Sequence, residues 1–291
     1  MDGWVLLQAI VNGLMLGGVY AAAGVGLSLM FGVMGIINVA HGEFIMLGAF
    51  ATYWLAVSYG VDPFLGLVVS FGLMFGLGYV LQRLVLYRVV GTPETVPLLA
   101  TFGLGIVMSS IALRLWSADY RVLDVDYLLG AYIAGFLIVP LNRLAAALGA
   151  WLLVLLLYLL LEKTELGRAI RATAQDAETA SLFGINPGVI YALTFGLAAG
   201  ISGAAGSLVL LFDVINPYMG LLYTLFAFAT VVIGGTGYIP GVFWGGIALG
   251  VVQSLTETYL EAGLSLFMAF LALYLVLVFR PAGLLGRGRL G

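Results

Sequence analysis

Residues 3–42 read GWVLLQAIVNGLMLGGVYAAAGVGLSLMFGVMGIINVAHG, a stretch with no Asp, Glu, Lys or Arg. A helix needs about 20 apolar residues to cross the hydrocarbon core of a bilayer. This run is long enough for one crossing and a turn beyond it, and it ends in a polar block at Asn38, His41 and Glu43. It lacks the basic n-region and short apolar core of a cleaved signal peptide. It is therefore expected to form the first membrane helix.

Further charge-free runs cover 44–61, 63–82, 95–113, 127–142, 144–161, 179–212, 214–256 and 262–279. The run 127–142 is too short and broken to predict a span. The run 214–256 holds two, divided by Gly234-Gly235-Thr236-Gly237-Tyr238-Ile239-Pro240-Gly241, a density of Gly and Pro that marks a turn. Membrane helices are expected near 4–31, 40–59, 63–87, 95–116, 141–161, 188–212, 218–235, 241–258 and 263–279. That makes nine, or eight if the region near 32–59 is re-entrant rather than spanning; a broken or re-entrant segment near 32–59 is the alternative there to a plain span. The fold class is all-α, a polytopic transmembrane helix bundle in one domain over 1–291.

Composition points the same way. Hydrophobic residues are 63% and charged residues 9% of the chain, against about 45–50% and 25% in soluble domains. So few charges cannot cover a water-soluble surface of this size, which excludes an ordinary cytosolic enzyme and a disordered chain. A net charge of −3 gives no basic surplus for nucleic acid. With no Cys and a single His, no metal cluster and no metal or other cofactor is expected.

Lys and Arg set the orientation, because loops that carry them stay preferentially in the cytoplasm. With the N-terminus outside, Arg83, Arg88, Lys163, Arg168, Arg171, Arg280, Arg287 and Arg289 lie inside, and Arg114, Arg121 and Arg143 outside. Residues 162–187 are then the long cytoplasmic loop and 117–140 the main outer loop. Asp213, Asn216 and Pro217 form a short outer turn.

Small residues recur four apart at Gly72/Gly76, Gly196/Gly200, Ser202/Gly206, Gly241/Gly245 and Gly246/Gly250. Such pairs let helix backbones approach closely. The first helix and the one at 191–209 share a richness in Gly and Ala, which fits either an inverted duplication or simply membrane composition.

The chemistry that is missing narrows the function. The single Lys, Lys163, follows Glu162 and belongs to no phosphate-binding loop, so no ATP hydrolysis and no enzyme activity is expected of this chain. Asn38, His41, Gly42 and Glu43 are the candidates for a translocation path or gate. A carboxylate at membrane depth costs roughly 2.5–3.5 kcal/mol and faces protein or water. The block reads either as a pathway element or as a cap on a broken helix near the cytoplasmic face. In both readings Glu43 and His41 are expected inside the protein, with Asn38 sharing their hydrogen bonds. In the long loop, Thr173 to Phe183 predicts one short amphipathic helix, with Ala174, Ala177 and Ala180 on one face, Glu178 at the polar rim and a stop at Gly184.

These patches resemble a known family. Asn12-Gly13-Leu14-Met15-Leu16-Gly17-Gly18-Val19-Tyr20-Ala21, then Gly35-Ile36-Ile37-Asn38-Val39-Ala40-His41-Gly42-Glu43-Phe44, are similar to the permease of bacterial branched-chain amino-acid ABC transporters. So are Gly167-Arg168-Ala169-Ile170-Arg171-Ala172 with Asp176 and Gly184-Ile185, Gly234-Gly235 through Ile239-Pro240-Gly241, and Phe279-Arg280-Pro281-Ala282-Gly283-Leu284-Leu285-Gly286. The resemblance implies a multi-pass importer subunit of the bacterial cytoplasmic (inner) membrane, of the shorter, high-affinity permease type. It also implies a second permease chain as heterodimer partner, two cytoplasmic ATPase subunits and an external substrate-binding protein, with membrane lipid around the bundle. Residues 173–187 would be the coupling region, where Glu178-Thr179-Ala180 precedes Gly184 with Thr in place of the usual Ala. The alternatives are a urea or short-amide permease of the same family and, from another class, an ion-coupled secondary transporter with Glu43 and His41 as its relay.

Overall fold

The computed structural model describes residues 3–285. In chain order the elements are α1 (Gly3–Met34), α2 (His41–Tyr59), α3 (Pro63–Leu84), α4 (Thr95–Trp116), β1 (Ala131–Ala134), β2 (Leu137–Pro140), α5 (Leu141–Lys163), α6 (Glu165–Gln175), α7 (Ala177–Leu182), α8 (Pro187–Val209), α9 (Met219–Gly234), α10 (Ile239–Tyr259) and α11 (Ser265–Phe279). Seven stretches among the described residues are long and apolar enough to cross a membrane: α1, α3, α4, α5, α8, α10 and the 262–279 stretch that contains α11. With α2 and the 16-residue α9 they make up the nine expected helices. The chain is an all-α, multi-pass membrane protein.

Local chemistry sets the helix ends. Asp62 caps α3 by accepting the Phe64 N–H at 2.8 Å, with Pro63 opening the helix. Asn186 and Pro187 open α8 in the same way. Gly35, at φ 65°, ends α1, and its N–H bonds the Phe31 carbonyl at 2.9 Å.

The bundle has two distinct ends. At one, the β1–β2 hairpin lies on the start of α1: Trp4 meets Phe136 with ring centroids 3.5 Å apart. Gln8 exchanges two hydrogen bonds with the Ile138 backbone, at 2.8 and 2.9 Å. The hairpin occupies the stretch 127–142, which gave no span. At the other end α6 and α7 follow α5. Leu284 N–H bonds the Ile233 carbonyl at 2.7 Å there, so Arg280 lies at the α6–α7 end. Arg83, Arg88, Lys163, Arg168 and Arg171 share that end. Arg287 and Arg289 lie outside the described residues.

The segment 32–59 is broken, not re-entrant. After Gly35 the chain turns back into the bundle, and α2 starts well inside it. It then runs to the hairpin end, where Asp62 accepts a 2.5 Å hydrogen bond from Tyr127. The eight-helix alternative is therefore incorrect.

Glycine sets the closest helix approaches. A Cβ on Gly17 would stand 2.6 Å from the Gly246 carbonyl oxygen, and one on Gly200 3.0 Å from Phe71. Thus α1 packs along α10 as α3 packs along α8. Of the five small-residue pairs, Gly72/Gly76 is the exception: nothing lies within 4 Å of a Cβ built there. The halves α1–α2–α3 and α8–α9–α10 run in opposite directions, and in each a long helix breaks before a helix that starts inside the bundle.

Candidate functional site

The two breaks meet. His41 Nε2 lies 2.8 Å from the Ala23 carbonyl oxygen and 3.2 Å from Ser202 Oγ. Ala23 precedes the end of α1 by eleven residues, about 16 Å of helix, so the block sits deep in the bundle. The reading as a cap near the membrane face is incorrect. A carbonyl only accepts, so the imidazole hydrogen is on Nε2. Nδ1 has no partner.

Non-helical backbone at this depth must find its hydrogen bonds inside the protein. Two threonines supply them. Thr101 Oγ1 on α4 accepts the Val39 N–H at 3.1 Å, and Thr224 Oγ1 on α9 accepts the Gly42 N–H at 2.8 Å. The hydroxyl of Thr101 also reaches the Pro97 carbonyl at 2.9 Å, and that of Thr224 the Gly220 carbonyl at 3.1 Å. A Cβ on Gly42 would fall on the Gly220 carbonyl oxygen, so only glycine allows this contact between α2 and α9.

Asn38, His41 and Glu43 are all buried, as expected. The one bond between them is in the backbone, where the His41 N–H donates to the Asn38 carbonyl at 3.3 Å; the Asn38 side chain is engaged elsewhere. Asn38 Oδ1 accepts the Ala40 N–H of its own turn at 3.0 Å, and its amide faces Met30 Sδ at 3.4 Å. Ser109 of α4 lies beside the carboxyl group of Glu43, whose Oε2 is unpartnered. Its carboxylate lies against the first turn of α9, since a Cβ on Gly220 would stand 2.5 Å from the carboxylate carbon. A helix N-terminus is a favourable place for an anion.

The second break, 210–218, is held differently. Ile215 and Arg121 exchange backbone hydrogen bonds, both at 2.9 Å. Asn216 Oδ1 accepts the Tyr218 N–H at 2.8 Å, and Asp213 Oδ2 accepts from the Tyr223 hydroxyl at 2.9 Å. Asp213 is not on a plain outer turn: it borders a cavity of ~350 Å3 whose inner wall includes Tyr20 and Phe226. None of Asn38, His41, Gly42 and Glu43 lines that cavity.

Residues 162–187 form a separate region at the α6–α7 end. The single helix expected over 173–183 is broken at Asp176. Its side chain caps α7 by accepting the Glu178 and Thr179 N–H groups at 2.9 and 3.1 Å, and Thr179 Oγ1 donates to it at 2.5 Å. The Thr179 hydroxyl and then the amides hold its carboxyl below the usual Asp range. The break also separates the three alanines: Ala180 is buried, Ala177 half-buried and Ala174 exposed. Glu178 is exposed, and Gly184, at φ 83°, ends α7. Leu182 and Phe183 stand out, each 81% exposed.

Ser109, Thr101, Thr224 and Gly220 were not singled out from the sequence, and Asn216 was read only as part of an outer turn. One signal was available. Ile37-Asn38-Val39-Ala40-His41-Gly42 and Ile215-Asn216-Pro217-Tyr218-Met219-Gly220 share Ile-Asn-x-x-x-Gly.

Residues 9–279 match the family described as branched-chain amino acid transport system / permease component. The chain belongs to this permease family. It is 31% identical to the high-affinity branched-chain amino acid transport system permease protein LivH of Salmonella typhimurium, over 97% of this chain and 96% of that one. Identity to the corresponding protein BraD of Pseudomonas aeruginosa is 32%, with the same coverage. The solved structure of PsaBC from Streptococcus pneumoniae in complex with Fab superposes with a TM-score of 0.48 at 14% identity, over 97% of this permease and 93% of that chain.

Proposed function

We propose that this permease is the membrane subunit of an ATP-driven importer that carries branched-chain amino acids across the bacterial cytoplasmic membrane by alternating access. Separate ATPase subunits dock at the α6–α7 end, which the basic residues Lys163, Arg168 and Arg171 assign to the cytoplasm. A second permease chain pairs with it, and an external binding protein delivers the solute at the hairpin end. The observation that carries this reading is the exposure of Leu182 and Phe183 at the tip of α7, on an aqueous end of the bundle. Contiguous large apolar side chains exposed in this way mark a contact surface. A chain without a phosphate-binding loop must receive its driving force through such a surface. The buried contact of Gly42 with Gly220 then acts as the joint on which the two broken helices move together, with His41, Asn38 and Glu43 fixing the α2 side.

The test is reconstitution with the ATPase subunits and binding protein that co-purify with the chain. Phe183→Asp and Ala177→Arg are expected to leave the permease inserted while ATPase binding weakens and import is lost. Ala174→Arg, on the exposed side, is expected to assemble normally. The isolated chain is expected to hydrolyse no ATP. Import by the isolated chain down an ion gradient would replace this reading with a secondary transporter.

A further inference from the structure

The cavity beside the second break carries more charge than helix packing requires. It lies between α1, the start of α5, α9, α10 and α11, and holds Arg143, Asp213 and Glu257 on its wall. Among the described residues none of the three forms an ion pair. All three are exposed and stand at the hairpin end, so they line the mouth of the cavity, where a charged solute can reach them from water. Arg143 and Glu257 stand near helix ends, where long charged side chains also reach toward water. Helix-end placement alone does not account for the polar wall that continues inward from them. Gln253 Nε2 donates to Glu257 Oε1 at 3.1 Å, and the Tyr20 hydroxyl donates to Gln253 Oε1 at 2.7 Å. Tyr20 is buried and lies seventeen residues from the start of α1, about 25 Å along the helix.

Beyond Tyr20 the lining is apolar and aromatic. Phe226 stacks on Tyr20 with ring centroids 4.6 Å apart and meets Tyr223 edge-on at 6.2 Å. Met15 is buried beside them. A volume of ~350 Å3 is at the small end of ligand pockets, about 300–1,000 Å3. It suits a small molecule rather than a peptide. The required ligand has one positive group, one negative group and an apolar body.

We propose that this cavity binds a free α-amino acid with an apolar side chain. Asp213 and Glu257 hold the ammonium group, Arg143 holds the carboxylate, and Phe226 with Met15 receives the side chain. The assignment rests on the chain being an amino-acid permease and places a substrate site within the permease itself. The Tyr223 hydroxyl orients Asp213, and Gln253 orients Glu257.

The test is equilibrium binding of radiolabelled leucine to the full-length chain in lipid nanodiscs, with the partner subunits that co-purify and no soluble binding protein. Saturable binding is expected, with isoleucine and valine competing. 4-Methylpentanoate, which lacks the amine, and isoamylamine, which lacks the carboxylate, are expected to compete at least ~10-fold more weakly, because each leaves a charged partner unmatched. Asp213→Asn and Arg143→Met are each expected to weaken leucine binding at least ~10-fold, with Arg114→Met, at the same end but outside the cavity, as the unchanged control. The analogue series uses wild-type protein and is decisive even if a variant fails to fold. The proposal is overturned if a preparation active in leucine import shows no saturable binding, if both analogues compete as well as leucine, or if the folded variants bind like wild type. A fully assembled transporter that imports no branched-chain amino acid would instead overturn the reading of the whole chain.

Discussion

The breaks after α1 and after α8 use one backbone device in two environments. Both place an Asn three residues before the new helix and a Gly at its second residue, and both let the Asn oxygen accept the N–H two residues on. Around that shared frame they diverge. Where the first break has Gly35, His41 and Glu43, the second has Asp213, Met219 and Leu221. The first is sealed among α1, α4, α8 and α9, and its backbone N–H groups at Val39, Ala40 and Gly42 find protein partners. The second borders a cavity, and its carboxylate faces outward from the turn. On the proposed function, the difference separates two tasks: the first break serves as a fixed joint, and the second as a wet wall on which a charged solute can be held.

The sharpest way to break this comparison is to load the joint from each side. Gly42→Ala places a Cβ on the Gly220 carbonyl, which is backbone and cannot swing away. Overpacking of this kind costs about 3 kcal/mol or more. Little folded permease is expected in the membrane. Gly220→Ala meets the Glu43 carboxylate instead, the end of a flexible side chain. It is expected to cost about 1 kcal/mol and to insert normally. Equal membrane abundance and equal thermal midpoints for the two variants would show that the joint is not asymmetric.

The two asparagines give the next largest contrast. Asn38→Asp keeps the acceptor but buries a charge at a site only 1% exposed. Insertion scales put that at about 3 kcal/mol. Asn216→Asp sits half-buried near the cavity and is expected to cost about 1 kcal/mol or less. Unfolding in detergent, followed by tryptophan fluorescence, measures both. A larger loss at Asn216 would reverse the assignment of dry and wet sides.

Import tests the side chains that differ. The Glu43 carboxylate lies against the first turn of α9, whereas its counterpart Leu221 is 56% exposed. At equal abundance Glu43→Ala is expected to lower import about 10-fold, which is about 1.4 kcal/mol. Leu221→Ala and Phe44→Leu are expected to change it less than about 3-fold. Full import by Glu43→Ala would reduce the polar block to packing.

These contrasts also show what a linear reading can and cannot reach. Absence of charge located all nine helices, because hydrocarbon excludes charge along the whole length of a span. Depth was not legible. The apolar run 3–42 gives no mark of where α1 ends, and only the backbone at Gly35 turns the chain back into the bundle. Ser109 and Thr224 look like ordinary membrane hydroxyls until a broken backbone stands beside them. Ile-Asn-x-x-x-Gly was present twice, yet the residues around it differ, His41 and Glu43 in one copy against Met219 and Leu221 in the other, so the pattern was easily passed over. In the loop, Asp176 stood in view, but alanine spacing suggested a continuous helix where an N-cap begins a new one.

That cap completes the comparison in a third medium and carries the smallest effect. Asp176 accepts the same N–H, two residues on, that Asn38 and Asn216 accept. The two breaks within the bundle use the neutral amide, and the aqueous turn uses the charged acid, as the cost of burying charge requires. The hydrogen bonds from Thr179 and Glu178 favour the carboxylate and hold its pKa below the ordinary 3.8. A lowered native value means the cap's contribution is fully present above the ordinary Asp range and is lost as the pH falls through the lowered value. Protection of the Glu178 and Thr179 amides from hydrogen exchange, corrected for the intrinsic rate, is therefore expected to hold at neutral pH and decline below about pH 4. Asp176→Asn is expected to keep most of that protection at neutral pH and to lose its acid dependence. The amides of Ala40 and Tyr218, capped by asparagine, are expected to show no acid-dependent loss of protection in the same samples. Acid loss of equal size at Ala40 would mean that the core break responds to a titrating neighbour, with Glu43 the carboxylate nearest in sequence. The sealed joint would then have to be regarded as reachable by protons.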